Sequence, residues 1–388
     1  MSKKITSIIS ALLIFTLVVG AQDLVPFKYG EKFGFKNKST GQVVINPIYD
    51  RVVPFSEDRA LVTRQKKTYF IDKEGKIKIT VAYDSVYSFS QGFAAVKKDT
   101  AWGFIDKLGM VKIPFKYESV LPFSEGFAAV KLNGKFGFID MTGKIVIQPS
   151  YQKVFEFSEG MASVMKNGKF GYIDTKGNVV VPFDYQSTGN YSGGAAIVKK
   201  NEKFGILDKT GKVILPVEYD WASVFSDGLV RVKKGEQFGY ADKTGKIVIP
   251  VNFDWAGDFE DGLAKIKRGK KYGFIDKEGK EVIRAEYDWV EDFTDNVVMV
   301  VKNGTWGTLD KNGNISVPFK YKIIRGFSED RAVVNVGGKF GYIDKKGSLV
   351  IPAVYDFAHD FVDGWAEVVK DAKTQFIDNS GKCVKYCN

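Results

Sequence analysis

The groups in this sequence that could act on a ligand are few in kind. There is a single histidine, His359. Ser-His-Asp and Cys-His catalysis both need a histidine held by a partner, and nothing in the sequence nominates one, so His359 is expected to be structural or exposed. The only cysteines, Cys383 and Cys387, lie in the last six residues. Zinc sites need clustered Cys and His, and no nucleotide-binding glycine loop or calcium loop of known spacing occurs; no cofactor and no metal are expected. Carboxylates remain. Glycosidases need only two, about 5–10 Å apart, and Asp220, Asp254, Asp288 and Asp356 each follow an aromatic at one recurring position. A residue repeated at equivalent turns is better explained by turn hydrogen bonding, whereas an active site is a pocket built once. The expectation is therefore no enzyme, with a glycosidase-like or other carboxylate-based hydrolase as the alternative.

One departure from regularity points to binding. Directly after the aromatic-Asp pair, early units carry Arg51, Ser85, Ser119, Lys153 and Ser187, and three consecutive later units carry Trp221, Trp255 and Trp289. Polar residues imply a position that water reaches, so regular stacking would align three indoles on one side of the array. Exposed indole faces suit sugar rings, peptides or other flat apolar groups; the other reading folds them between neighbouring units as packing. Trp221, Trp255 and Trp289 are the candidate ligand-binding residues.

The elements that hold these positions form a strict repeat. Aromatic-Gly pairs fall at Trp102-Gly103, Phe136-Gly137, Phe170-Gly171, Phe204-Gly205, Phe238-Gly239, Tyr272-Gly273, Trp306-Gly307 and Phe340-Gly341, each 34 residues apart. A second glycine keeps the same step from Gly41 to Gly381, ten periods without insertion or deletion. Within one unit, Phe127–Lys131 reads as a strand, Asn133-Gly134 as a hairpin turn that tolerates positive φ, and Phe136–Asp140 as the returning strand. Asp140 to Gly143 has Asp first and Gly fourth, as a type I turn prefers. Lys144–Ile147 is a third strand, ended at Gln148-Pro149 because proline lacks an N–H, with a short fourth segment near Tyr151–Val154. Gly137, between two aromatics, implies close approach of a neighbouring backbone or ring. These strands are apolar on both faces and so should be covered on both sides. A unit of this size cannot stand alone and must stack on its neighbours.

The aromatic-Gly, Ile-Asp-x-x-Gly, Tyr-Asp and Phe-Ser-Glu-Gly words together resemble the WG (KWG) repeat family over residues 33 to about 382, with Phe or Tyr replacing Trp in most units. The resemblance implies a β-repeat fold, no assigned activity and no catalytic residues. Thirty-four residues is lean for a four-stranded propeller blade, and ten copies exceed the usual ring. The expected fold is thus all-β: tandem 34-residue β-hairpin repeats stacked as an open solenoid or superhelix, with one or two propeller-like closed rings as the alternative. Two features keep that alternative open. Leu24–Phe27 resembles the last strand of a missing unit that the C-terminal strands could complete. The polar stretch Gln186–Gly194 is either drift in one loop, the preferred reading, or a divider between two five-unit rings.

Lys3 and Lys4, the apolar run Ile8–Val19 and the small residues Val19-Gly20-Ala21 read as a signal peptide over residues 1–21, leaving a repeat array of ten units over 22–388. The run is short for a membrane span, and no second one follows. Removing residues 1–21 takes two lysines and no acid, lowering net charge from +11 to +9. Export argues against a nucleic-acid partner for this basic chain, and the lysines recur at turns rather than in one patch. In an exported protein Cys383 and Cys387 are a possible disulfide. Four residues of straight strand span about 13 Å against a limit of about 7 Å between Cα atoms, so a bridge demands that the tail turn back. The resulting expectation is a secreted or periplasmic, non-enzymatic binding or scaffolding surface for a protein or glycan.

Overall fold

A computed structural model describes residues 23–387 apart from residue 295; the expected signal segment lies outside the described residues. Local turn chemistry sets the strands. Asn133 and Gly134 both adopt positive φ (49° and 75°), the mirror-image turn whose twist matches a hairpin, and join Phe127–Leu132 to Lys135–Asp140. The Gly143 N–H then donates to the Asp140 carbonyl at 2.9 Å, while the Asp140 carboxylate accepts from the Thr142 amide and hydroxyl and the Lys144 amide. That closes the turn into Ile145–Tyr151.

This last strand runs further than expected. Phe138 pairs with Ile147 but Phe136 pairs with Tyr151, so two extra residues bulge out at Gln148-Pro149. A bulge needs no ladder donor at every residue, which is where a strand tolerates proline. Gly137 lies beneath it. A Cβ there would sit 2.3 Å from the Ile147 carbonyl oxygen and 2.6 Å from the Pro149 nitrogen, a contact that any side chain could relieve only by displacing the bulge. The neighbour that presses on this glycine is backbone.

The expected open solenoid of stacked hairpins is overturned. The described residues form eleven separate sheets, nine of four strands and two of three, each with its strands paired in chain order. This is the blade arrangement of a β-propeller, the alternative held open above. Four strands fit into 34 residues because the first is often only two residues long, as in Lys153–Val154 and Trp255–Ala256, and the turns are equally short. The short segment after Tyr151 is therefore the first strand of the following sheet. A sequence repeat, counted from one aromatic-Gly pair to the next, holds the last two strands of one sheet and the first two of its successor, except that after Trp306 the first is reduced to a single bridge between Ile324 and Val334; ten repeats thus yield eleven sheets among the described residues. Leu24–Tyr29 is not a closing strand for the C-terminus; it pairs with Lys32–Asn37 in its own three-stranded sheet. At the other end Phe357–Ala358, Trp365–Lys370, Lys373–Asp378 and Cys383–Lys385 make a complete sheet.

Two compact units result, residues up to Val179 and residues from Val180 onward. In the second, Gln186–Gly194 is an ordinary repeat loop. Ser187–Thr188 is a first strand, and Tyr191, buried where other loops carry Phe, donates from its hydroxyl to the Asp208 carbonyl at 2.8 Å.

Within each unit the core lies between successive sheets. One cluster joins Phe104, Ile113 and Tyr117 to Val120, Phe123 and Ile139 of the next sheet; another joins Tyr240 and Ile249 to Phe259 and Ile275. The third strand is covered on both faces, as at Phe138 and Ile139. The fourth is more open: its first residue is exposed at Val179, Val213 and Ile315, as is Val146 at the second position, while the third residue is buried, as at Ile147. Antiparallel strands can face water on one side.

The Phe-Ser-Glu-Gly word ties the sheets together. Ser56, Ser90 and Ser124 each donate from the hydroxyl to the loop Phe carbonyl one unit on, at 2.7 Å, as do Ser226 and Ser328 in the second unit at 2.6 and 2.7 Å. The next residue's side chain accepts from the following loop glycine: Glu57 from Gly92, Gln91 from Gly126, Glu125 from Gly160, Asp227 from Gly262. The loop Phe ring packs on the preceding sheet's third strand, Phe138 to Phe157 at 4.8 Å and Tyr240 to Phe259 at 4.8 Å.

Gly137→Ala should cost about 1–3 kcal/mol by forcing the bulge aside. Gly134→Ala, with open space around it and only a left-handed backbone to strain, should cost about 1 kcal/mol. Urea titration of the two variants checks the order; equal losses would remove the close-approach explanation.

Candidate functional site

The recurring carboxylates are spent on turns. Asp220 accepts from the Gly235 amide at 2.7 Å and pairs with Lys203 through its other oxygen. Asp288 accepts from the Asn303 amide and pairs with Lys271. Asp356 accepts from the Asp371 amide and pairs with Lys339, and Asp254 accepts from the Gly269 amide. The lysine hydrogen bonds, followed by the amides, hold Asp220, Asp288 and Asp356 below the usual carboxylate range. Each is a charged cap on a hairpin turn.

His359 is exposed. Its backbone makes the hydrogen bonds, the amide donating to the Glu367 carbonyl and the carbonyl accepting from the Tyr342 hydroxyl, while its ring stands edge-on to Phe357 at 4.9 Å. Cys383 and Cys387 are joined by a disulfide across a Cα separation of 5.7 Å. The chain reverses through Tyr386, whose φ is +55°. Among the described residues no group of three or more His, Cys, Asp or Glu could hold a metal ion, and no helix is long and apolar enough to cross a membrane.

Trp221, Trp255 and Trp289 occupy the first residue of the first strand in three successive sheets of the second unit. Their surroundings differ. Trp221 is half-buried, with the Arg231 guanidinium stacked 4.7 Å from its ring. Trp255 is 39% exposed and lies along its strand, its ring within reach of Gly257. Trp289 is 50% exposed and meets Tyr272 edge-on at 5.5 Å. The same position in earlier units is water-accessible, as at Arg51, Ser85 and Lys153.

Trp255 lines a cleft of about 410 Å³ with Asp258, Phe259, Glu260, Asp261, Lys265 and Asp292 among its walls. Sequence reasoning missed these flanking charges. Arg231 and Lys265 stand mid-strand where other units carry Ala129, Ser163 or Ile197. Each reaches an aspartate of the next sheet: Arg231 to Asp258 at 3.5 Å, Lys265 to Asp292 at 2.7 Å. The matching changes in two columns of the repeat, 231/265 and 258/292, were the available signal. They pass unnoticed because a surface charge is the commonest kind of substitution.

The sequence matches the model of the WG containing repeat in ten consecutive stretches, from residues 33–67 to 340–373. No curated protein matches it. Among solved structures it is similar to a eukaryotic initiation factor, at 11% identity over 76% of this chain and 95% of that chain, with a TM-score of 0.46. It is also similar to the extracellular domain of a hybrid two-component system of B. thetaiotaomicron, at 10% identity over 95% and 64% of the two chains and TM-score 0.26. A third is PorZ, a surface component of the type-IX secretion system of Porphyromonas gingivalis, at 11% identity over 88% and 52% and TM-score 0.24. Likenesses this slight do not bear on function.

Because the Asp220 carboxyl is held below its ordinary value, the stability it contributes is complete above about pH 4 and is lost as pH falls through the lower folded value. The stability gap between the native chain and Asp220→Asn, measured by urea titration, should therefore be open at pH 6 and narrow progressively as pH falls below the ordinary carboxylate value. A gap that persists in acid would mean that Asp220 acts through packing rather than charge.

Proposed function

The chain belongs to the WG-containing repeat family, and from that premise we propose that it is an exported, non-enzymatic module that presents a binding or scaffolding surface to a protein or glycan at the cell envelope or outside the cell. The observation that carries this reading is the run of three consecutive first strands that exchange a polar residue for tryptophan, two of them with indoles well exposed. An exposed indole contributes nothing to the core, and flat ligands gain from it. The turn duties of the recurring aspartates favour a surface without catalytic chemistry. Lys3, Lys4, the Ile8–Val19 run and the small residues at Val19–Ala21 favour export.

Trp255→Ser and Trp289→Ser restore what earlier units carry and should each change stability by less than about 1 kcal/mol. Trp221→Ser, which strips the cover from Arg231, should cost more. The immobilised mature chain should retain from envelope extracts of its host a protein or glycan that the Trp255→Ser, Trp289→Ser variant releases. Unchanged retention, or losses of roughly 3–5 kcal/mol per site as for core aromatics, would return the row to packing. In material recovered from the native host, intact mass should correspond to a chain starting at Gln22; the mass of the full chain would contradict export by cleavage.

A further inference from the structure

The cleft at Trp255 sits where the tie between sheets changes chemistry. In the preceding loop Ser226 donates to the Phe259 carbonyl of the next sheet at 2.6 Å. One unit on, the serine position is Glu260, whose carboxylate has no proton to donate to a carbonyl. Its neighbour Asp261 pairs with Lys311 at 3.2 Å. A position that elsewhere fastens two sheets has become an acid facing a cavity.

The lining carries four carboxylates, Asp258, Glu260, Asp261 and Asp292. Arg231, Lys265 and Lys311 pair with Asp258, Asp292 and Asp261, so among the described residues Glu260 is left with no ion pair, and the cleft keeps one uncompensated negative charge in a chain that is strongly basic overall. The protein also shows how this row of indoles is used. Trp221 holds the Arg231 guanidinium against its face at 4.7 Å, and the same guanidinium reaches Asp258 at 3.5 Å. At the equivalent mid-strand position the next unit has the shorter Lys265, which pairs with Asp292, and the one after has Met299. The exposed face of Trp255 repeats the indole half of that arrangement, with Glu260 in the same cleft.

The geometry points to an extended, arginine-bearing segment of a partner protein as the occupant of this cleft, a guanidinium stacking on Trp255 and pairing with Glu260. Both terms favour a cation over a neutral sugar: stacking on indole gains from positive charge, and planar guanidinium matches carboxylate geometry. This rests on the binding role of the tryptophan row proposed above and names the chemistry of its ligand.

The test uses the full mature chain and three probes in isothermal titration at low and high salt: a synthetic peptide alternating Arg and Gly, the same peptide with neutral citrulline for every Arg, and cellohexaose. The arginine peptide should bind despite the protein's net positive charge, weaken as salt rises, and lose about tenfold in affinity on citrulline replacement or in Trp255→Ser. Glu260→Gln should weaken it several-fold while leaving the melting temperature unchanged, because no ion pair of the fold is broken. Equal affinity for the arginine and citrulline peptides would overturn the inference. So would cellohexaose binding that depends on Trp255 without arginine-peptide binding, although the binding role of the row would then stand. Arginine-peptide binding indifferent to both Trp255→Ser and Glu260→Gln would overturn the inference and remove the row as the contact surface.

Discussion

The loop that begins with an aromatic and ends with a left-handed glycine carries the fold. The buried core lies between successive sheets, so each sheet depends on its neighbours for stability, as units of a repeat array do. The loop makes that junction three ways at once: the Phe ring enters the preceding sheet's core, the Ser hydroxyl reaches the next loop's carbonyl, and the acidic side chain takes the next glycine's amide. The hydroxyl and the carboxylate reach 33 and 35 residues ahead, about one repeat, while the ring reaches back to the preceding sheet's third strand. Strict spacing follows from that, because an inserted residue would put hydroxyl, carboxylate and ring out of register together.

Turns and close approaches were legible in the sequence because they are set within a few residues. Asn133-Gly134, the Asp140–Gly143 turn and the crowding at Gly137 each follow from backbone rules that need no tertiary knowledge. The sheet count was not legible. A first strand of two residues such as Trp255–Ala256 has no periodicity to detect, and a proline at a bulge looks like a strand end. Both errors push the same way, trimming the last strand and detaching the first, so a four-stranded sheet reads as a stack of hairpins.

The candidate site divides along the same line. The tryptophan row was visible because it breaks a column of the repeat. The acids and bases around it break columns too, but their meaning depends on which strand of one sheet faces which loop of the next. Arg231 and Asp258 are 27 positions apart in the chain, a separation that corresponds to no face of a strand and becomes a contact only once sheets are laid side by side. Repetition makes such exceptions informative: wherever nine neighbours agree, a tenth that differs is free of the structural duty the others perform, or has exchanged it for another.

The offset between sequence repeat and sheet has a consequence for how such a protein changes length. The repeat boundary falls beside the hairpin between the second and third strands, so copying one 34-residue block does not add a sheet with two raw edges. It splits an existing sheet at its hairpin and completes both halves, each new seam being an ordinary tight turn. Genes that gain or lose blocks in this frame pass from one fully paired protein to another. Surface positions such as the one held by Trp221, Trp255 and Trp289 can then be multiplied in a row by duplication alone, before any of them is refined for a ligand.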